Sequence, residues 1–289
     1  MKKLTIFAFA LLFSVQLIAQ ERLLVGGSGS GMVAIINRAS GEIEWSYKTP
    51  EKSECNSVAY TKSGNVAFSY KQGAKCVTLD GDVIFDYKAG EGEEIQSISE
   101  IKGGFLLGVC GTPMRIVELN KKGEVTKNLT YDTGVEKAHS QMRQMRQSNK
   151  GGYLLPIIAK KKVVELNKKG EVIAETALEN GAFSIVQDKK SGDCYAACGH
   201  SGYIYKIDGK SGELSTVSDK KALSESVNIE YGAEISLLKN GNLMMANWLG
   251  HKGDLTQPIL IELTKSGEIV WTMHHPEEMK FVSAVCPIY

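Results

Sequence analysis

The sequence predicts an all-β fold: a single six-bladed β-propeller of four-stranded antiparallel blades. Three observations carry that prediction. A polar turn with an obligatory glycine is written six times along the chain. A second glycine turn, feeding an apolar strand, precedes five of those six. The two chain ends supply complementary fragments of one blade.

The first residues stand apart from the repeat. Lys2 and Lys3 form a basic start, Leu4 to Ile18 is almost wholly apolar, and Ala19 is the small residue that a signal peptidase requires. Residues 1–19 are therefore expected to be a secretory signal peptide, and residues 20–289 the propeller. No cysteine follows Ala19, so a lipid-anchored form is not expected, and the protein is placed in the periplasm or outside the cell. No second apolar run is long enough to cross a bilayer, so membrane insertion is not expected. The formal charge of +1 becomes −1 once Lys2 and Lys3 are removed, which speaks against nucleic acid as a partner. Six cysteines would permit disulfides in an oxidising compartment, but their spacing matches no framework or zinc motif. Cys194 and Cys198 lie on one apparent strand, about 13 Å apart at ~3.3 Å per residue, too far to bond. Most of the cysteines read as small buried hydrophobes.

The repeated turn is clearest in "LNKKGEVTKNL" from Leu119 and "LNKKGEVIAET" from Leu166. Looser versions begin at Ile36, Thr78, Ile207 and Leu263. Its glycines are Gly41, Gly81, Gly123, Gly170, Gly212 and Gly267, separated by 40, 42, 47, 42 and 55 residues. That period, without helical patterning, is the mark of propeller blades. Before each turn stands a second one, as in "KSGNVAFSY", "KGGFLLGV" and "KNGNLMMAN", and before that a further short strand. The unit is four strands, a to d from the inside outward. The N-terminal segment "RLLVGG…MVAIIN…EIEWSY" supplies b, c and d alone, whereas "FVSAVCPIY" from Phe281 supplies a lone strand a. Pairing Phe281–Pro287 with Arg22–Gly27 completes the sixth blade and removes exposed sheet edges.

"GMVAIINRASGEIEWSY" and "PILIELTKSGEIVWTM" resemble the repeats of PQQ-binding-like propellers, the quinoprotein-dehydrogenase-like superfamily. The resemblance implies a tryptophan packed between blades; Trp45 and Trp271 fit it and Phe85 substitutes for one, while Lys127, Ala174 and Thr216 do not. Quinone-dependent members are implied to have eight blades and a vicinal cysteine pair, both lacking here, so no cofactor is expected. The segments "NSVAYTKSGNVAFSY" and "GAEISLLKNGNLMMAN" are also similar to repeats of bacterial arylsulfate sulfotransferases, exported six-bladed propellers. That likeness implies a central histidine that accepts a sulfuryl group, for which His139 with Arg143 is the nearest match by position.

The topology gives the disc two unequal faces. Turns a–b and c–d ("TKSGN", "NKKGE", "TKSGE") are monotonous and solvated, and no role is assigned to them. Turns b–c and the d–a connections are irregular, and all five histidines (His139, His200, His251, His274 and His275) fall there. The candidate ligand-binding residues on that face are Asn56, Gln96, His139, Gln141, Arg143, His200, Glu234, Asn247, Trp248 and His251. His139 reads either as capping the start of an innermost strand or as a functional imidazole. Trp248 reads as core cover or as a stacking platform. Arg143 and Arg146, in "QMRQMRQ", either bond neighbouring blades or meet an anion. No metal-ligand spacing, nucleophile elbow or phosphate loop is present, so no metal is expected. "GGSGSG" at Gly26 has no helix after it and is no nucleotide fingerprint. Two functions remain open. One is a monomeric binding or scaffold module for an unknown small molecule, glycan or protein. The other is an enzyme with a channel-mouth histidine, such as a sulfotransferase-like group transferase.

Overall fold

The computed structural model describes residues 21–50, 53–219, 227–250, 253–274 and 279–289. The expected signal peptide, His251 and His275 lie outside the described residues. The described chain forms six four-stranded antiparallel sheets, each running in sequence order from one edge to the other apart from the closing blade. In that blade Ala284–Ile288 lies against Arg22–Gly26, with Leu24 opposite Cys286. The closing strand is shorter than the sequence suggested. It starts at Ala284 because Phe281–Ser283 turns across the sheet end, where the Phe281 carbonyl stands 1.7 Å from the place a Cβ on Gly27 would occupy. Only glycine fits there.

Strand b is buried on both faces, as in Gly104–Cys110 and Leu243–Asn247, and strand c keeps a few half-buried positions, as in Met114–Asn120. Strand d alternates partly buried and exposed residues, as in Ile43–Lys48, because only its inner face meets a neighbour. The pairing of c with d slips by one residue in all six blades, which sharpens the twist each blade needs to fit its wedge. The two near-identical turns fold alike. The Asn120 side chain accepts the amides of Lys122 and Glu124 at 2.9 and 3.0 Å, and Asn167 does the same for Lys169 and Glu171 at 2.8 and 3.1 Å. Gly123 and Gly170 complete these turns at φ +85° and +86°, a region glycine enters without steric cost.

The core is divided among the interfaces between blades, and outer-strand aromatic residues tie neighbours together. Trp45 donates to the Leu79 carbonyl of blade 2 at 2.7 Å, Phe85 meets Phe105 of blade 3 edge-on at 5.0 Å, and Trp271 carries the Arg38 guanidinium of blade 1 at 4.7 Å from its ring centre. All six cysteines are free, five of them buried.

Blade 4 departs from expectation in its innermost strand. "HSQMRQM" is not a strand: Ala138–Ser140 is a single 3₁₀ turn, and only Arg146–Gln147 pairs with Tyr153–Ile157. Met142 and Met145, either side of Arg143 in this irregular stretch, are both fully buried. The carbonyls of Ser140 and Gln141 instead accept the amides of Ala159 and Ile158. His139 consequently sits on a turn above the channel rather than at the head of an inner strand.

Candidate functional site

A cavity of about 510 Å³ opens at the channel mouth on the face of the irregular loops. Its walls come from b–c turns and d–a connections alone: Ser28 and Ser283 of the closing blade, Ser53, Glu54 and Asn56 before blade 2, His139 and Arg143 before blade 4, Phe183 before blade 5, His200 of blade 5, Tyr231 before blade 6 and Trp248 of blade 6.

One wall is aromatic. Tyr231 stands at its centre and meets Phe183, Trp248 and His200 edge-on, at 5.6, 5.6 and 4.6 Å between ring centres. Such contacts set the positive rim of one ring against the negative face of another and fix the rings relative to each other. The Trp248 indole N–H donates to the Ser28 carbonyl at 3.1 Å, which pins the indole across the junction of blades 6 and 1.

The other wall is a chain of polar groups. Glu94 accepts His139 Nδ1–H at 2.9 Å and Gln96 Nε2–H at 2.7 Å; Asn56 Nδ2 donates to Gln96 Oε1 at 2.8 Å. Arg143 Nη2 lies 2.8 Å from His139 Nε2. A guanidinium only donates and a carboxylate only accepts, so this arrangement assigns the Nδ1–H tautomer to His139, with its Nε2 lone pair on Arg143. Lys71 closes the chain with its ammonium 3.4 Å from Glu54 and 3.5 Å from Glu94. Its backbone is left-handed at φ +66°, a costly setting for lysine, held by the Ile95 amide donating to the Lys71 carbonyl at 2.7 Å. Burial pushes the Glu94 pKa up, but hydrogen bonds from His139 and Gln96, with the charge of Lys71, outweigh it and leave Glu94 below the usual carboxylate range.

Beneath the cavity a second polar layer crosses the channel. Gln144 donates to the Asn56 carbonyl; Arg146 reaches both Gln144 and Glu234; Glu234 also accepts the Val285 amide at 2.8 Å. Blades 2, 4, 6 and the closing strand are thus joined through buried side chains. Burial pushes the Glu234 carboxyl up to about 7, against the opposing pull of Arg146, Gln144 and the Val285 amide. On the far side of this layer a second cavity of about 480 Å³ is lined by polar groups including Arg146, Gln147, Asn149 and Gln187. Among the described residues no three His, Cys, Asp or Glu side chains gather in a way that could hold a metal ion.

The family model for Mal s 1 allergenic protein-like chains matches residues 28–246. The chain belongs to the Mal s 1 allergenic protein-like family. No curated protein matches it. Among solved structures, a protein of unknown function from Bacteroides caccae is 36% identical, with 93% of this chain and 99% of that chain covered and a TM-score of 0.86. Catalytically inactive virginiamycin B lyase from Staphylococcus aureus with quinupristin is similar at 15% identity, over 90% of this chain and 86% of that chain, with a TM-score of 0.62. A chain of a nidogen/laminin complex is similar at 11% identity, over 92% and 98%, with a TM-score of 0.66. The last two likenesses show the propeller fold alone. The quinoprotein-like repeats read from the sequence lead to the same architecture, while the family that matches is the Mal s 1-like one.

In this Mal s 1-like propeller the sequence-derived candidates separate into groups. Asn56, His139, Arg143, His200 and Trp248 line the cavity together. Gln96 stands behind Asn56 and Glu94, fully buried. Glu234 lies in the deeper layer. Gln141 is taken up by backbone contacts to Gly111 and Val135, and Asn247 by contacts to Asn228, Glu230, Tyr231 and Pro258. Sequence reading passed over Ser28, Glu54, Lys71, Glu94, Phe183 and Tyr231. Position was the available signal: Tyr231 and Phe183 occupy d–a connections just before an inner strand, as Asn56 does, but ordinary aromatic and acidic residues in a loop carry no motif.

Proposed function

We propose that this chain is an exported binding propeller whose small-molecule ligand sits in the channel-mouth cavity. The observation that supports it is the convergence in one concave space of a fixed aromatic wall and a hydrogen-bonded polar wall, contributed by every inter-blade junction except that between blades 2 and 3. Export is supported by the basic, apolar and small-residue pattern of residues 1–19. A group-transfer reading draws on the Glu94–His139 pair, since a carboxylate orients an imidazole in many nucleophilic sites. Here, however, the His139 Nε2 lone pair faces Arg143 at 2.8 Å rather than open space, which favours holding a ligand over attacking one.

The test is a screen of glycans, aryl sulfates and peptides against wild type, His139→Ala and Trp248→Ala. Binding lost in Trp248→Ala without turnover supports the binding module. Sulfuryl transfer abolished by His139→Ala would replace it with the enzyme. Binding that survives both changes but fails when Lys121, Lys168 and Lys265 are neutralised would place the ligand on the opposite face.

A further inference from the structure

Arg143 is the residue of the cavity whose bonding is least complete. Its guanidinium has five N–H donors in a planar fork. Nη1 donates to the carbonyls of His139 at 2.6 Å and Met142 at 3.0 Å, and Nη2 donates to His139 Nε2 at 2.8 Å. Among the described residues nothing accepts the Nε–H or the second Nη2–H. Nε–H and the Nη2–H parallel to it form the side edge of the guanidinium, spaced to meet the two oxygens of one carboxylate.

The charge around Arg143 is also incomplete. The residue is only 8% exposed, yet its three acceptors are all neutral and no carboxylate of the described residues lies within 4 Å of it. A guanidinium removed from water without a counter-ion is costly. The acids nearby make no contact with it: Glu54 and Glu94 share the one Lys71 ammonium, and Glu94 reaches Arg143 only through the His139 ring. The cavity therefore offers a cation that touches no carboxylate and whose Nε–H has no acceptor, in the same space as the rings of Phe183, Tyr231 and Trp248. The Tyr231 hydroxyl, which makes no hydrogen bond to any described residue, adds a further polar group to that wall.

We propose that the ligand of this cavity is an aromatic monocarboxylate, its carboxylate gripped side-on by Arg143 Nε and Nη2 and its ring set against Tyr231 and Trp248. This rests on the reading of the cavity as a ligand site. A monoanion adds the least charge beside Glu54, which lines the same cavity, whereas a dianionic phosphate would bring a second negative charge against it. A planar carboxylate matches the planar fork better than a tetrahedral sulfate or phosphate.

The experiment uses the mature protein with 2-naphthoate and 3-phenylpropanoate, each beside its primary amide and an aryl phosphate of similar size, followed by titration calorimetry. The amide keeps shape and ring but loses the charge. On wild type each carboxylate is expected to bind at least about tenfold tighter than its amide, the usual value of hydrogen bonds to a charged group. Arg143→Gln is expected to erase that difference while leaving amide binding in place, and Arg143→Lys, which keeps the charge without the fork, to restore only part of it. Carboxylate and amide of equal affinity on wild type, with Trp248-dependent binding of either, would overturn the carboxylate assignment and leave the ligand cavity standing. An aryl phosphate that binds tighter than the carboxylates would overturn it as well. Failure of all these compounds, and of glycans and peptides, to bind wild type would overturn both.

Discussion

Replacing Gly123 by alanine tests how the blades are fitted together. Its φ of +85° lies in the left-handed region, where an L-residue costs about 1–2 kcal/mol. Gly212 at φ +74° and Gly170 at φ +86° share that cost, so the difference among the three comes from what a Cβ would meet. At Gly212 nothing lies within 4 Å; at Gly170 the nearest atom is Leu129 Cδ1 at 3.4 Å, an ordinary contact. At Gly123 the Cβ would stand 2.4 Å from Phe85 Cβ and 2.7 Å from Phe85 Cγ. Phe85 cannot retreat freely, because it is 7% exposed and packs edge-on against Phe105. Forcing the two apart is an overpacking cost of about 1–3 kcal/mol on top of the backbone term. Gly123→Ala is therefore expected to lose about 2–5 kcal/mol, against about 1–2 kcal/mol for Gly212→Ala and Gly170→Ala. The gain from a stiffer unfolded chain is common to all three and cancels in the comparison. For a chain of this size each kcal/mol corresponds to about 2–4 °C in Tm, so calorimetric melting separates the classes. Lys121→Ala, on the same turn, should change Tm by little. Equal Tm losses for Gly123→Ala and Gly212→Ala would refute the argument that the turn of blade 3 is wedged against blade 2.

Two further outcomes follow from the buried groups. Glu234 rises from 4.5 to about 7 in the folded chain, so it contributes roughly 3 kcal/mol that is fully present below pH 4.5 and lost as pH climbs through 7. Urea unfolding at pH 4.5 and pH 7.5 should show that loss in wild type and a flatter profile in Glu234→Gln; parallel profiles would dismiss Glu234 as its source. Burial also pushes the thiols of Cys55, Cys76, Cys110, Cys194 and Cys198 up to about 12, and that of Cys286 to about 11. An aryl disulfide reagent should find no fast thiol in the native protein and six in denaturant, whereas a rapid native reaction or a lower final count would contradict the free, buried state.

The fold was open to reading because it is set by local rules repeated many times. Gly123 and Gly170 end polar runs in near-identical words, and each word is enough to specify its own turn through an asparagine side chain and a left-handed glycine. Six such units, with strand a missing at one end and stranded at the other, leave a closed ring as the arrangement that pairs every edge. The two faces were legible for the same reason, since hairpin order alone decides which turns share a side.

What the tertiary structure decided was which side chains meet. Asn56, His139, His200 and Trp248 are separated by up to 192 positions in the chain and share one cavity only because five inter-blade junctions point at one axis. Glu94 and Lys71 become partners of His139 through contacts no spacing announces. The run from His139 to Met145 looked like an inner strand by analogy with its counterparts. It is instead a 3₁₀ turn at Ala138–Ser140 followed by irregular chain, with the Ser140 and Gln141 carbonyls paired to Ala159 and Ile158, and Arg143 lines the cavity beside His139. Turns and strands follow from neighbours in sequence, which the chain writes out. The charge balance of a buried cation depends on groups brought from other blades, and only packing fixes their number and distance.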